Sequence, residues 1–341
     1  MDIKQIGTLL KQTFDDWNGD KAPQQAAALA YYTIFSLAPL LVIAIAIAGL
    51  FFGRDGVEGQ VFDQLKGFLG QSGAEAVQTM IKSASAPASG IVATIIGVVT
   101  LLFGAAGFFG QLQDSLNTIW EVKVKPNQPI MAIIKQRFFS FSMVLSTGFL
   151  LLVSLLLSAV LAAITGYFSG IISGADWVWE LLNFVISLGI TIGLFGLIFK
   201  YVPDVKIAWR DVWPGAILTG VLFSVGRFIL AQYLGRGTFS STYGAAGSLV
   251  VVLLWVYYSA QIMFFGAEFA QIFAKHRGSK IVPAENAQAL PDSERAALGL
   301  GGAADEPSDT PTVVRKGGAI ATLTGFVVGV VLGQRRSQKK E

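Results

Sequence analysis

Six apolar segments, each about as long as a bilayer core is thick, limit what this chain can fold into. A helix of about 20 apolar residues spans the hydrocarbon layer, and helices satisfy their backbone hydrogen bonds without water. Only 14% of the residues are charged, against about 25% in soluble domains. The sequence therefore predicts an all-α integral membrane protein with a six-transmembrane-helix bundle, its spans lying near residues 31–52, 90–110, 138–163, 181–201, 213–234 and 248–273.

Basic residues are distributed unequally between the two sides of this bundle. Thirteen lysines and arginines fall on the side of the N-terminus and four on the other side. Cytoplasmic loops carry the excess of positive charge, so both ends of the six-helix core are predicted to be cytoplasmic. The first apolar run is too long for a signal-peptide core, and Tyr31–Phe52 is interpreted as an uncleaved first span.

Two segments outside the spans have the pattern of amphipathic helices. In the extracytoplasmic loop Gly53–Ser89, apolar residues recur at helical spacing, namely Val61, Phe62, Leu65, Phe68 and Leu69. This helix is expected either to lie on the outer leaflet or to pack onto the bundle. The N-terminal stretch Ile3–Trp17 is predicted to be a similar helix on the cytoplasmic surface.

The chain changes character after the membrane domain, which is assigned to residues 1–280. Residues 281–316 are rich in proline, alanine, glycine and aspartate and are predicted to be a disordered linker. Residues 317–341 form a glycine-rich apolar segment with a basic tail, in which Gly325 and Gly329 belong to a Gly-x-x-x-Gly pattern. That pattern packs helices in lipid, so this segment is a candidate for oligomerisation, and whether it spans the membrane stays open.

Small residues mark the helix faces that are expected to contact other helices, because little hydrophobic force drives association in lipid. The second span carries Gly97 and Gly104, and the fourth carries Gly189 and Gly193. In the fifth span, Gly220 shares a face with Ser224 and Arg227.

Arg227 is the charge that the apolar runs explain least. A charge at mid-membrane is costly and marks a functional site by default. It follows Trp213 by 14 residues, about 21 Å along a helix, which places it in the outer half of the layer. Arg227 is predicted either to anchor the fold or to hold an anionic ligand, and its candidate protein partners are Tyr243, Gln261, Asp176 and Glu180.

The sixth span adds Tyr257, Gln261 and Glu268 on one face. Glu268 lies near the cytoplasmic end, so depth separates it from Arg227 by well over about 10 Å. Its expected partners are Lys200, Arg137 or Lys275 in a structural ion pair. The candidate ligand path consists of Arg227, Gln261, Glu268, Tyr243 and Tyr257.

The sequence lacks the residues of common hydrolytic sites. It has no cysteine and one histidine, His276, within a basic stretch, which leaves little for thiolate, zinc or His-based chemistry. Neither a Walker loop nor a nucleophile elbow is present. No catalytic residue, metal or cofactor is predicted, and the chain is not expected to be an enzyme.

Several segments resemble the YihY / virulence factor BrkB family, formerly called the ribonuclease BN family. They are Ala27–Pro39, Asp114–Trp120, Lys135–Ser140, Tyr243–Ser248, Trp255–Ala260 and Phe265–Phe269. The resemblance covers about residues 5–280 and implies a multi-pass protein of the bacterial inner membrane. Proposals for this family concern envelope integrity, serum resistance and transport of lipid or small solutes.

These observations favour a transporter of a lipid or small anionic solute that supports envelope integrity. The alternative is a non-transporting scaffold that oligomerises through its helices and its Gly-x-x-x-Gly segment. Membrane lipids are the expected partners, together with further copies of the chain and without nucleic acid.

Overall fold

The computed structural model describes residues 3–85, 107–126, 176–234 and 247–301. The described residues are mainly helical, as predicted. The helices are α1 (Ile3–Gly19), α2 (Ala22–Phe52), α3 (Arg54–Ser85), α4 (residues 107–119), α5 (Asp176–Tyr201), α6 (Trp209–Leu234), α7 (Gly247–His276) and α8 (Asp292–Ala297). The short strands are β1 (Val122–Val124), β2 (Val205–Lys206), β3 (Val282–Pro283) and β4 (Ala287–Ala289).

Among the described helices, three are long and apolar enough to cross a membrane, through Phe184–Tyr201, Trp209–Ile229 and Leu249–His276. A fourth candidate is α2, whose halves Ala22–Ala38 and Leu40–Leu50 are bent by 41°. The bend falls at Pro39, where a proline lacks the backbone donor and clashes with the preceding turn. These helices correspond to the first, fourth, fifth and sixth predicted spans. Most of the second span and all of the third lie outside the described residues, so the count of six stays a prediction.

The described strands form two antiparallel ribbons, which join the ends of the helices. Strand β1 pairs with β4, and β2 pairs with β3. The carboxylate of Asp204 accepts hydrogen bonds from the side chains of Gln113 (3.1 Å), Asn117 (2.8 Å) and Asn286 (2.8 Å). We call all four strands, β1, β2, β3 and β4, together with α8 the platform. The platform contains parts of three loops that the distribution of basic residues placed on the same side of the membrane. That this side is the cytoplasmic one remains a prediction.

The structure corrects the predicted disordered linker for residues 282–297. They form β3, β4 and α8, and the side chain of Arg295 is only 5% exposed. The composition of the segment did not reveal this order, because its partners come from distant parts of the chain. Residues 302–341, including Gly325 and Gly329, lie outside the described residues. We call residues 282–301 the strap.

Helix α3 occupies the loop in which an amphipathic helix was predicted. Its backbone breaks at Gly70, where φ is 72°, a conformation that glycine adopts without steric cost. Val57, Leu69 and Val77 are buried against a cluster that includes Ile45 and Val252. Helix α3 therefore packs onto α2 and α7, which corresponds to the bundle-packing alternative. The predicted N-terminal helix is also present, as α1.

Exposed aromatic rings mark the place where α5 and α6 meet the platform. Tyr201 and Trp209 have ring centroids 6.0 Å apart, and Trp209 and Trp213 have theirs 5.7 Å apart. Tyrosine and tryptophan concentrate at membrane–water interfaces. These rings therefore supply a reference level from which the depth of other residues along α6 can be judged.

Candidate functional site

Close packing of α6 against α7 fixes the relative depth of the predicted site residues. A Cβ atom on Gly215 would lie 2.6 Å from the Cβ of Ala270, and one on Gly266 would collide with the hydroxyl of Thr219. Thr219 therefore stands opposite Gly266. Arg227 is eight residues beyond Thr219, about 12 Å along the helix axis.

Arg227 lies at a small cleft between α5 and α6. The cleft is lined by Phe184, Ser187, Leu188, Thr191, Phe223, Ser224 and Arg227. Its volume is about 50 Å³, which is enough for a few water molecules. Arg227 is itself exposed, and so are the neighbouring apolar side chains of Val225 and Phe228. A cationic group thus stands at the rim of a cleft that borders an apolar surface.

The polar character of the cleft comes mainly from Arg227. Two hydroxyl groups that line the cleft already donate to backbone carbonyls one turn earlier: Thr191 donates to Ser187 (2.8 Å) and Ser224 to Gly220 (2.8 Å). Their oxygens remain able to accept hydrogen bonds, whereas a guanidinium group carries five donors. The cleft is therefore suited to an anionic group that faces Arg227.

The other predicted path residues lie at different levels of α7. Tyr257 and Gln261, one turn apart, share a side-chain hydrogen bond. Glu268 is two residues beyond Gly266 on the platform side, which puts it about 15 Å from Arg227 along the axis. The structure thus agrees with the separation predicted from depth. Tyr243 lies outside the described residues.

Tyr258 is a residue that the sequence analysis missed. A Cβ on Gly226 would lie 2.5 Å from the Cζ of Tyr258, so this ring packs directly against α6 beside Arg227. Gly226, directly before Arg227, was the feature of the sequence that could have indicated this contact. A large ring can pack closely against a helix at a position that has no side chain.

A second group of polar residues lies at the platform end, and we call it the buried charge cluster. It comprises Asp16, Asp20, Glu121, Glu268, Lys275 and Arg295. Arg295 contacts Asp20 (Nη2 to Oδ1, 2.6 Å) and Glu121 (Nη1 to Oε1, 3.5 Å), and Lys275 contacts Glu121 (Nζ to Oε1, 3.0 Å). The side chains of Asp20 and Arg295 are 3% and 5% exposed. This ion pair is therefore almost completely removed from water.

Burial and neighbouring charges change the proton affinity of the cluster. The pKa of Asp20 is raised from 3.8 to about 7, first by burial; the charge of Arg295 opposes the rise, and the charges of Glu121 and Asp16 contribute to it. The pKa of Asp16 is also raised, first by burial. Glu268 is 1% exposed, and its Oε1 has no hydrogen-bond partner among the described residues.

Of the three basic residues predicted as partners of Glu268, the structure places one in the buried charge cluster. Lys275 belongs to the cluster, where it pairs with Glu121 and acts on Glu268 through its charge. Lys200 instead donates to the carbonyl of Ile207, and Arg137 lies outside the described residues. The sequence analysis missed Asp20, Glu121 and Arg295, because no periodic pattern connects them.

The predicted packing glycines also separate into groups. A Cβ on Gly220 would lie 2.5 Å from the Cγ1 of Ile192 in α5, so this glycine permits close approach. At Gly189 and Gly193 no described atom lies within 4 Å of such a Cβ. Gly97 and Gly104 lie outside the described residues. Within the described part, His, Asp and Glu form no group of three or more that could hold a metal ion.

Comparison with known proteins connects this fold to one family. A family model described as "Virulence factor BrkB" matches residues 13–291. The match includes β3 and β4 and ends just before α8. No solved structure matches the chain.

Curated relatives carry the name UPF0761 membrane protein. One from Pseudomonas aeruginosa is 30% identical over 253 residues, covering 73% of this chain and 58% of the relative. One from Stenotrophomonas maltophilia is 27% identical over 259 residues, covering 76% and 59%. One from Ralstonia nicotianae is 28% identical over 265 residues, covering 74% and 55%. The aligned region thus spans less than three fifths of the length of these relatives.

Proposed function

Because this chain belongs to the virulence factor BrkB family of membrane proteins, we propose that it is a transporter of an anionic lipid or a small anionic solute. In this proposal it lies in the bacterial inner membrane and supports the integrity of the envelope. The observation that carries the proposal is the cleft between α5 and α6, where Arg227 borders an apolar surface.

An arginine at this depth is suited to one class of cargo group. Guanidinium binds carboxylate and phosphate through two parallel hydrogen bonds and is less strongly hydrated than an ammonium group. The cleft volume of about 50 Å³ accommodates a small anionic group rather than a whole lipid. For a lipid cargo, the headgroup would enter the cleft while the acyl chains lie along exposed side chains such as Phe184 and Phe228.

Packing of the surrounding helices supports a defined position for this arginine. Ser224 lines the cleft beside it, Gly220 lets α5 approach, and Gly226 lets Tyr258 approach. Arg227 is therefore presented from a helix that is held closely on two sides. Such support favours a binding role, since a cationic group needs fixed geometry to discriminate between anions.

The test is translocation by purified protein in vesicles, with Arg227→Ala and Arg227→Lys as variants. We expect Arg227→Ala to lower translocation about tenfold to hundredfold, because a hydrogen bond to a charged group contributes about 1.5–3 kcal/mol. Thermal unfolding should stay close to that of the unchanged protein. Arg227→Lys should retain part of the activity, and Arg210→Ala, at a 71% exposed arginine of the same helix, is the matched control.

The cargo is identified in two arms of this experiment. One arm follows a fluorescent anionic phospholipid between leaflets, with a zwitterionic lipid for comparison. The other arm follows inorganic phosphate across the vesicle membrane. Unchanged translocation in both Arg227 variants would refute the role of the cleft. Loss of folded protein in both would assign Arg227 to the structure, and absence of all translocation by unaltered protein would favour the scaffold.

A further inference from the structure

The buried charge cluster contains more acids than bases. Its carboxyl groups are Asp16 on α1, Asp20 between α1 and α2, Glu121 after α4 and Glu268 on α7. Its cations are Lys275 on α7 and Arg295 on α8. Four carboxyl groups therefore face two cations. With every carboxyl group ionised, the described members of the cluster would carry two more negative than positive charges, around the buried side chains of Asp20, Glu268 and Arg295; a buried charge is costly unless it is paired.

Several buried polar atoms of the cluster region form no hydrogen bond with the residues that the structure describes. They include Oε1 of Glu268 and Oε1 of Gln271, as well as Nε and Nη1 of Arg295. The side chains of Glu268 and Gln271 are three residues apart on α7, so they are neighbours on one face of the helix. Buried polar atoms are nearly always paired. A proton on Glu268 would supply the donor that this pair of oxygens lacks.

We propose that the buried charge cluster is a proton-binding site, in which Asp20 and Glu268 are the acids that take up the proton and Gln271 accepts the hydrogen bond from protonated Glu268. Two acids that interact strongly titrate as a pair, so the proton belongs to the site and not to one residue. The bound state has one negative charge fewer, and the orphaned oxygens become partners. The proposal does not depend on which cargo the cleft carries.

The strap brings one of the two cations to the site. Arg295 reaches the cluster from α8, and the strap is held by hydrogen bonds from Lys21 to the carbonyl of Leu298 (2.7 Å) and from Gly301 to the carbonyl of Gly19 (2.9 Å). Arg295 compensates one carboxylate, and its charge opposes protonation of Asp20, whereas burial favours it. Arg295 and the bound proton thus compensate the negative charge of the acids separately.

The sign of the pH effect follows from Asp20. Its pKa is 3.8 when unperturbed and about 7 in the folded protein, so between these values the folded state binds more protons than the unfolded chain. Stability then falls as pH rises through that range. In Asp20→Asn the free energy of unfolding should depend less on pH, because a neutral amide replaces the titrating acid.

The experiment is infrared difference spectroscopy of the full-length protein in lipid nanodiscs, titrated from about pH 5 to about pH 9. The carbonyl stretch of a protonated carboxyl group is separate from carboxylate bands. We expect a protonated band that persists near neutral pH and disappears in alkaline buffer. Its amplitude should fall in Glu268→Gln and in Asp20→Asn, and Glu75→Gln, at an exposed acid of α3, should leave it unchanged.

The unaltered protein provides a decisive result even if a variant fails to fold. Absence of a protonated band at about pH 6 to 8 would overturn the proposal. A band that is equal in both folded variants would also overturn it, since the proton would reside elsewhere. Replacing sodium and potassium with a large organic cation should have no effect, and a band that changes with the cation would identify a metal-ion site instead.

Discussion

Replacing Arg295 with alanine is expected to lower the free energy of unfolding by about 3–5 kcal/mol, the range found when one partner of a buried ion pair is removed. The change leaves Asp20 with no cation at 2.6 Å and removes the contact of Glu121 with α8. Protonation of Asp20 moderates the loss at low pH, so the effect should be larger at about pH 8 than at about pH 5. Thermal unfolding in detergent at both pH values measures the difference.

The matched control is Arg54→Ala, which breaks an ion pair of the same chemistry at an exposed position. Arg54 contacts Glu58 at 2.8 Å, with side chains 61% and 39% exposed. Exposed pairs contribute about 0–1 kcal/mol, so this control should have little effect. If both variants behave alike, the burial of Arg295 does not govern the stability of the platform.

A second arm of the same experiment reports on the strap directly. The chain has no cysteine, so Ser293→Cys on the exposed surface of α8 gives a single labelling site. A spin label there should become more mobile when Arg295 is replaced. Adding Asp20→Ala to the Arg295→Ala variant should lower the free energy of unfolding by less than Asp20→Ala lowers it in the unaltered protein, since the two residues form one pair. Unchanged label mobility would show that the ribbons β1–β4 and β2–β3 hold the strap without the arginine.

The buried charge cluster shows where inference from the sequence ends. Apolar runs located α2, α5, α6 and α7 because a membrane span has a fixed length. The fixed rise per residue also separated Arg227 from Glu268. Arg295, by contrast, lies in a polar stretch, and its position depends on strands of two or three residues. Such strands are too short for an alternating pattern, so their pairing with distant segments left no local signal.

The glycines show a similar limit. A regular spacing of small residues predicts a helix face but does not say which partner covers it. Gly220 meets Ile192, whereas Gly189 and Gly193 face no described atom. Gly215 and Gly266, which were not predicted, lie where the backbones of α6 and α7 approach each other closely. Their contact depends on the register between two helices, and the register is set by all the side chains along both.

Gly266→Ala should therefore destabilise the bundle, because it places a methyl group in the contact between α6 and α7. The added methyl group would overlap the hydroxyl of Thr219 and lie 3.0 Å from the carbonyl oxygen of Gly215. The hydroxyl of Thr219 can turn away only by losing its hydrogen bond to the carbonyl of Gly215 (2.7 Å), so the contact between α6 and α7 must loosen. Overpacking of this kind costs about 1–3 kcal/mol, and thermal unfolding together with the yield of folded protein measures it.

Rescue at the opposite position distinguishes this contact from a general sensitivity of α7. Thr219→Ala removes the hydroxyl, the nearest atom to the new methyl group, and leaves the Cβ of residue 219 at 3.0 Å. The double variant should consequently recover part of the lost stability, because the remaining contacts are tight but no longer overlapping. Gly189→Ala should be neutral or stabilising by up to about 1 kcal/mol through its helix propensity. A double variant no more stable than Gly266→Ala alone would mean that the α6–α7 register differs from the one described, and the depth assigned to Arg227 relative to Glu268 would change with it.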